Sequence, residues 1–415
     1  NGMLCSEEEC GIEADSAGIW ILDPETPLGV NFIEYANLTD VVLDIAILPN
    51  RGDCQSILGL AREIAALTQQ TFTLPTISIT EKALKHPYTV TAKTNDCPYY
   101  VGRFITNLSN KPSPLWLTRR LQLAGIRPIS LLVDITNYVL LETGQPMHAF
   151  DHAFFKHHNV IIQSAKEPLT LTTLDGEPRE VNSQQLLIYD DSTPIAIAGI
   201  MGAGNTQVNA NTTSIFLESA YFDATSIRRS STHLGLRTDS AIRFEKGVFP
   251  SMIDYASRRA AQLYQTLADG EISSTIATYK QANHPCFNTV KLPFNLDQIN
   301  QFLGTSYPFQ LIKESLEWLG FSVSKTTITV PSWRQHDIED WPCIAEEIAR
   351  IIGFDTISAT LPAQPVFNDS DDAIINLINT TQDFFVMNGF FEVNTYPMIS
   401  KEAMNQLNFP ITDLN

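Results

Sequence analysis

From Gly125 to Asp151 the chain reads GIRPISLLVDITNYVLLETGQPMHAFD, and the middle of that stretch cannot face water. The near-continuous apolar run has to be buried, and as a buried segment it reads equally well as strand or helix. Its ends are of a different kind. Arg127 and Asn137 stand on the flanks of the apolar segment, and a Gly144-Gln145-Pro146 turn sets up a lone histidine, His148. Core packing accounts for the middle of the stretch and not for these polar groups.

At 415 residues the chain exceeds one ordinary core and is expected to hold two to four domains. Hydrophobic content of 44% with 18% charged residues describes a packed globular chain. The net charge of -19 argues against independent nucleic-acid binding, because affinity for a phosphate backbone comes mainly from Lys and Arg. Six cysteines, at 5, 10, 54, 97, 286 and 343, show no CxxC pair and no zinc-ligand spacing with histidine, as for buried thiols of a reducing compartment. No segment approaches the roughly 18 apolar residues of a membrane span, and no secretory signal opens the chain. The expected location is the cytoplasm. The first residue is Asn1 and both ends stop mid-pattern, which is expected of a piece of a longer polypeptide.

Val41–Ile47 alternates like a strand, and Pro49–Cys54 is a turn ahead of a helix over Ile57–Leu67, capped by Asp53 or Ser56. An Arg51–Asp53 ion pair suits the turn. Asp175-Gly176 reads as a hairpin, and the glycines of Ile195–Gly204 permit close backbone approach. No lysine stands where a phosphate-binding loop needs one. Pro250–Leu267 is an amphipathic helix. Residues 286–361 read as two short helices closed by Gly304 and Gly320, a two-strand hairpin and a third helix, which is a winged-helix-like pattern. Five Lys/Arg against nine Asp/Glu in that span disfavour a DNA-reading role. Another helix, Ala373–Met387, and a strand, Glu392–Tyr396, follow from Asp369 onward.

Taken with Leu217–Glu245, LESAYFDATSIRRSSTHLGLRTDSAIRFE, the Gly125–Asp151 stretch closely resembles the editing module of the bacterial phenylalanyl-tRNA synthetase beta-subunit family. Gly2-Met3-Leu4-Cys5-Ser6 and PNRGDCQSILGLAREIAAL from Pro49 are further phrases of that family. The resemblance implies an α+β, multidomain chain. Residues 1–90 would be the end of an oligonucleotide-fold region with an N-terminal remnant, 91–280 a mixed α/β editing module, 286–361 the winged-helix-like module, and 366–415 the start of an inactive catalytic-like α/β domain. It implies partners: an alpha subunit, in a heterotetramer of two alpha and two beta chains, and tRNA for phenylalanine. No membrane or DNA partner is expected. ATP is used by the holoenzyme and is not expected to bind this region.

The implied chemistry is post-transfer editing, hydrolysis of tyrosine wrongly esterified to that tRNA. A pocket shaped for phenylalanine rejects an isostere with one added hydroxyl by only about a hundredfold, so a second site with a partner for the phenol is a physical remedy. Glu218 matches the family position that receives the tyrosine hydroxyl. His148 and Asn137 match positions acting on the ester, with a general base and assistance by the vicinal ribose hydroxyl both compatible with these residues. Arg127 matches a pocket-edge donor, Gly202 a glycine that gives the amino acid room, Thr238 a pocket hydroxyl, and Ser240 stands where relatives commonly carry alanine. No Ser–His–Asp arrangement is readable.

After Ser332-Trp333-Arg334 the family carries acidic residues attributed to a Mg²⁺ site shared with the alpha subunit. Here Asp337, Glu346 and Glu347 match, while Cys343 replaces an aspartate and is a poor ligand for a hard cation. A charged helix start explains Glu346 and Glu347 equally well. Two functional readings stand side by side: an editing hydrolase within a synthetase subunit, and a scaffold whose editing pocket is inactive. An acidic helix-turn-helix regulator is disfavoured by charge.

Overall fold

The computed structural model describes residues 3–12, 18–22, 24, 26–36, 38–361 and 372–408. The expectations that fall on Gly2 and Asp369 lie outside the described residues. The chain divides into two compact units, Asn1–Ile357 and Ser358–Asn415. It is an α+β chain, with mixed sheets and helices on their faces. No helix among the described residues is long and apolar enough to cross a membrane.

Two five-stranded sheets organise the first unit. One runs, edge to edge, Glu81–Lys82, Glu271–Lys280, Tyr99–Thr106, Ile215–Tyr221, Met147–Asp151. The other runs Met201–Gly202, Thr193–Ile197, Leu186–Asp190, Asn159–Ser164, Thr89–Ala92. Because side chains alternate along a strand, each face of the first sheet has its own core. Ile105, Ile215, Leu217 and Ala149 pack on the helices Leu115–Leu123, Leu131–Thr143 and Pro250–Leu267. Phe150, Phe216 and Ala220 pack with Ile162, Leu187 and Ile197 of the second sheet.

The apolar run of the opening stretch is the helix Leu131–Thr143, nine of whose thirteen residues are buried. Its outer face is covered by the Pro250–Leu267 helix, where the Tyr264 hydroxyl donates to the Leu132 carbonyl at 2.6 Å. Gly144, at φ 78°, ends it in the left-handed region and turns the chain into the His148 strand. Gln145 secures that turn by donating to the Ala220 carbonyl at 2.8 Å.

Ser56, rather than Asp53, caps the helix Ile57–Thr68 by accepting from Gly59 N–H. The Asp175-Gly176 turn joins the antiparallel strands Leu169–Thr172 and Pro178–Val181. Helices Leu296–Leu303, Phe309–Trp318 and Trp341–Ile352 pack with a three-stranded sheet that includes an unanticipated strand, Lys291–Pro293. Two strand expectations fail. Val41–Ile47 and Glu392–Tyr396 have no regular structure, since no strand among the described residues pairs with them and alternation alone supplies no hydrogen-bond partner. The second unit contains the helices Ala373–Met387 and Lys401–Gln406.

The metal expectation for Asp337, Glu346 and Glu347 is corrected here. Arg334, 1% exposed, donates to Asp337 at 2.7 Å and to both oxygens of Glu347 at 2.9 Å. Glu346 lies exposed on the same helix. A cation would have to displace a buried guanidinium, and the three carboxylates share no common point. Burial alone would raise the Glu347 pKa, but Arg334 and Arg350 hold it down to about 2. Arg350 also donates to Glu63 at 2.6 Å, which ties the Ile57–Thr68 helix to this module. Asp53, Cys54 and Glu63 gather as possible ligands, yet Arg51 donates to all three.

Removing Arg334 leaves the Asp337 carboxylate without its cation and Glu347 with Arg350 alone, so Arg334→Ala should cost about 3–5 kcal/mol. The change Glu346→Gln, at an exposed position, should stay within about 0.5 kcal/mol. Urea denaturation of the two variants tests the pair; equal effects would overturn the central role of Arg334.

Candidate functional site

The strand Ile215–Tyr221, paired on both sides within the first sheet, is buried along its whole length. Its alternation sends Phe216, Glu218 and Ala220 toward the second sheet. Antiparallel register pairs Glu218 with His148 on one side and with Gly102 on the other. Two polar residues seventy positions apart are thereby neighbours on one apolar face.

Glu218 is 6% exposed, and its one hydrogen bond in the protein comes from the Tyr100 hydroxyl, 3.3 Å from Oε2. Burial pushes its pKa up to about 8, with the Tyr100 hydrogen bond pulling the other way. Burial also brings His148 down to about 4. Burial thus favours the neutral form of both groups. The His148 ring stands edge-on to Phe150 at 4.5 Å, and its Nε2 is buried with no hydrogen-bond partner.

These residues line a cavity of about 220 Å³. Its walls are the Leu131–Thr143 helix through Thr136, Asn137 and Leu140, the glycine-rich segment through Gly199–Gly202, and the short helix Asp239–Glu245 with its cap Thr238. The volume lies below the usual range for drug-sized ligands and suits one amino-acid side chain. The Asn137 amide makes no side-chain hydrogen bond and is free to meet a ligand.

Asn137, His148, Gly202, Glu218, Thr238 and Ser240 all reach this cavity. Arg127 does not; it is exposed on the loop before the Leu131–Thr143 helix. The hydroxyls are already committed, Thr238 donating to the Ile200 carbonyl at 2.9 Å and Ser240 to the Gly199 carbonyl at 3.0 Å. They hold the glycine-rich segment in place. Gly202 makes room, but for the imidazole: a Cβ there would lie 2.6 Å from His148 Nε2. The sequence reading missed Tyr100, Gly102 and Asp239. A usable signal was the alternation Tyr100, Gly102, Phe104, which shares a sheet face with Glu218 once the strand pairing is known.

Two domain models match stretches of this chain. A B3/4 domain model matches residues 96–269, and a tRNA synthetase B5 domain model matches 292–354. The phenylalanine–tRNA ligase beta subunit of Syntrophus aciditrophicus (strain SB) is 39% identical over 415 residues, covering 98% of this chain and 51% of that protein. The corresponding subunit of Geobacter sulfurreducens is 37% identical over 416 residues, with 98% and 51% covered. The chain belongs to the phenylalanine–tRNA ligase beta-subunit family. It spans about half the length of the curated relatives it matches. An N-terminal fragment of the phenylalanyl-tRNA synthetase beta-subunit from Pyrococcus horikoshii covers 78% of this chain and 94% of its own at 14% identity and a TM-score of 0.38, a likeness too distant to carry an argument.

The protonation of Glu218 is testable through stability. Its folded pKa of about 8 lies above the ordinary 4.5, so the folded chain keeps a proton that the unfolded chain releases. Stability from this group is then greatest below pH 4.5 and falls as pH rises toward 8. His148, lowered from 6.5 to about 4, acts only below pH 6.5, where the unfolded state takes up a proton and stability falls with falling pH. Glu218→Gln should accordingly raise the melting temperature more at pH 8 than at pH 6.5. An equal effect at both values would mean that Glu218 is ionised throughout.

Proposed function

We propose that the cavity is an editing site which hydrolyses tyrosine esterified to tRNA for phenylalanine, within a subunit that works with an alpha subunit in aminoacylating that tRNA. The observation that carries the reading is the buried Glu218, paired in register with His148 at the side of a cavity sized for one amino acid, where burial favours the neutral form of both. A tyrosine phenol finds a hydrogen-bond partner in Glu218. Phenylalanine leaves the second oxygen of that carboxyl, Oε1, unpaired, at a cost of about 1–3 kcal/mol.

Hydrolysis needs water to attack the ester carbonyl, the acyl–oxygen bond to break, and the ribose hydroxyl to recover a proton. At a pKa near 4, His148 is a weak base and poorly suited to proton abstraction. Of the two mechanisms open from sequence, this supports assistance by the vicinal ribose hydroxyl with a positioned water. Asn137 supplies the free amide for the ester carbonyl or the terminal nucleoside. The open cavity and that free amide speak against the inactive-scaffold reading.

The wider assembly on this reading is a heterotetramer in the cytoplasm, with ATP and Mg²⁺ used where the synthetic reaction occurs; membership of the family supports it. With a net charge of -19, this chain contributes little of the grip on tRNA. The isolated chain should bind tRNA more weakly than micromolar at physiological salt in a salt titration. Submicromolar binding would contradict that.

The decisive experiment measures deacylation of Tyr-tRNA and Phe-tRNA by the assembled enzyme. Glu218→Ala should reduce the preference for tyrosine about five- to a hundredfold while sparing hydrolysis of a bound ester. His148→Ala should slow both esters and leave their ratio unchanged. A Glu218→Ala enzyme retaining the wild-type ratio would place recognition elsewhere.

A further inference from the structure

We infer that Tyr100 is a positioning residue for tyrosine selection: its hydroxyl holds one carboxyl oxygen of Glu218 so that the other is presented to the cavity. This rests on the editing reading of the same site. Tyr100 is fully buried and does not line the cavity, so it acts on a ligand only through Glu218. It sits on the strand Tyr99–Thr106, two residues from Gly102, the register partner of Glu218. That diagonal lies within reach of an aromatic side chain.

The ring has little freedom to move. It lies 6.4 Å from Phe216 at an interplanar angle of 17°, and Phe216 in turn stacks on Tyr88 at 4.0 Å. The Phe216 ring occupies the space a side chain at position 102 would need, since a Cβ on Gly102 would fall 2.1 Å from it. The Tyr100 hydroxyl makes one side-chain hydrogen bond, to Glu218 Oε2. Glu218 Oε1 is left without a protein partner. The last torsion of a glutamate is broad and roughly two-fold, so nothing intrinsic to the side chain fixes the carboxyl plane. The Tyr100 hydrogen bond does so before a ligand arrives, which removes an ordering cost from binding.

The test is Tyr100→Phe in the assembled enzyme, a change that keeps the ring and removes the hydroxyl. The ratio of kcat/KM for Tyr-tRNA over Phe-tRNA deacylation should fall about three- to tenfold. The change should appear in KM for the tyrosyl ester, with kcat on the phenylalanyl ester unaltered. Because the hydrogen bond opposes the rise of the Glu218 pKa, its loss should also move the pH midpoint of the tyrosine preference upward. The other titratable groups near Glu218 or lining the cavity are Cys97, His148 and Asp239, and the variant leaves all three in place. In a double variant with Glu218→Gln, the two effects should be non-additive. An unchanged ratio and midpoint, or an equal loss on both esters, would overturn the inference. With Glu218→Ala run in parallel, a loss of preference there but not in Tyr100→Phe defeats Tyr100 alone; no loss in either defeats the editing reading itself.

Discussion

The register of Ile215–Tyr221 is the constraint on which the site depends. The strand is hydrogen-bonded on both sides, so neither edge is free to slide. Its odd residues Ile215 and Leu217 belong to the helical core, and its even residues Phe216 and Ala220 to the core between the sheets. A slip of one residue would exchange every side chain between these cores and carry Glu218 into the helices. Apolar neighbours thus place the one carboxyl of the strand. They also explain why Gly102 and His148 are its partners, because pairing fixes all three together.

A comparison inside the molecule shows what decides the state of a buried carboxyl. Glu347 and Glu218 are both buried. The first receives two arginines and is held near pKa 2; the second receives a phenol and rises to about 8. Burial raises both, and a partnering cation reverses the outcome. The same logic removes the Mg²⁺ assignment, since acidic residues close in sequence belong to different environments. Asp337 and Glu347 face a guanidinium, while Glu346, one residue away, faces solvent.

Much of this was legible in the sequence where local rules act alone. The Pro250–Leu267 helix, the Asp175-Gly176 hairpin and the Ala373–Met387 helix follow from periodicity and turn chemistry, and they appear over those spans. The gathering of Asn137, His148 and Glu218 came from wording shared with a family, not from spacing. What stayed hidden depends on contacts between distant segments. Val41–Ile47 carries a strand's alternation without a strand's partner. Thr238 reads as a pocket hydroxyl and Ser240 as a polar replacement for alanine beside it, yet their protons go to the carbonyls of Ile200 and Gly199, which only the fold brings near. Gly202 reads as space for a ligand and proves to be space for His148. Tyr100 carries no local mark, because its meaning comes from a strand 118 residues away.

On the proposed editing reading, these geometries bear on how a small site would separate two amino acids that differ by one oxygen. Excluding the smaller one by shape is impossible, since phenylalanine fits wherever tyrosine does. Selection has to come from a group that loses more when the phenol is missing, and a buried neutral carboxyl meets that need. Its neutrality matters as much as its position. An ionised carboxylate in this apolar setting would demand a cation or water, and on that reading either would fill the place a phenol would take. Keeping both Glu218 and His148 uncharged lets the cavity stay apolar enough to accept an aromatic ring while holding polar groups along its wall. The consequence is a weak base beside the ester, so on the proposed reading the reaction depends on water and ribose held in position rather than on a strongly basic side chain.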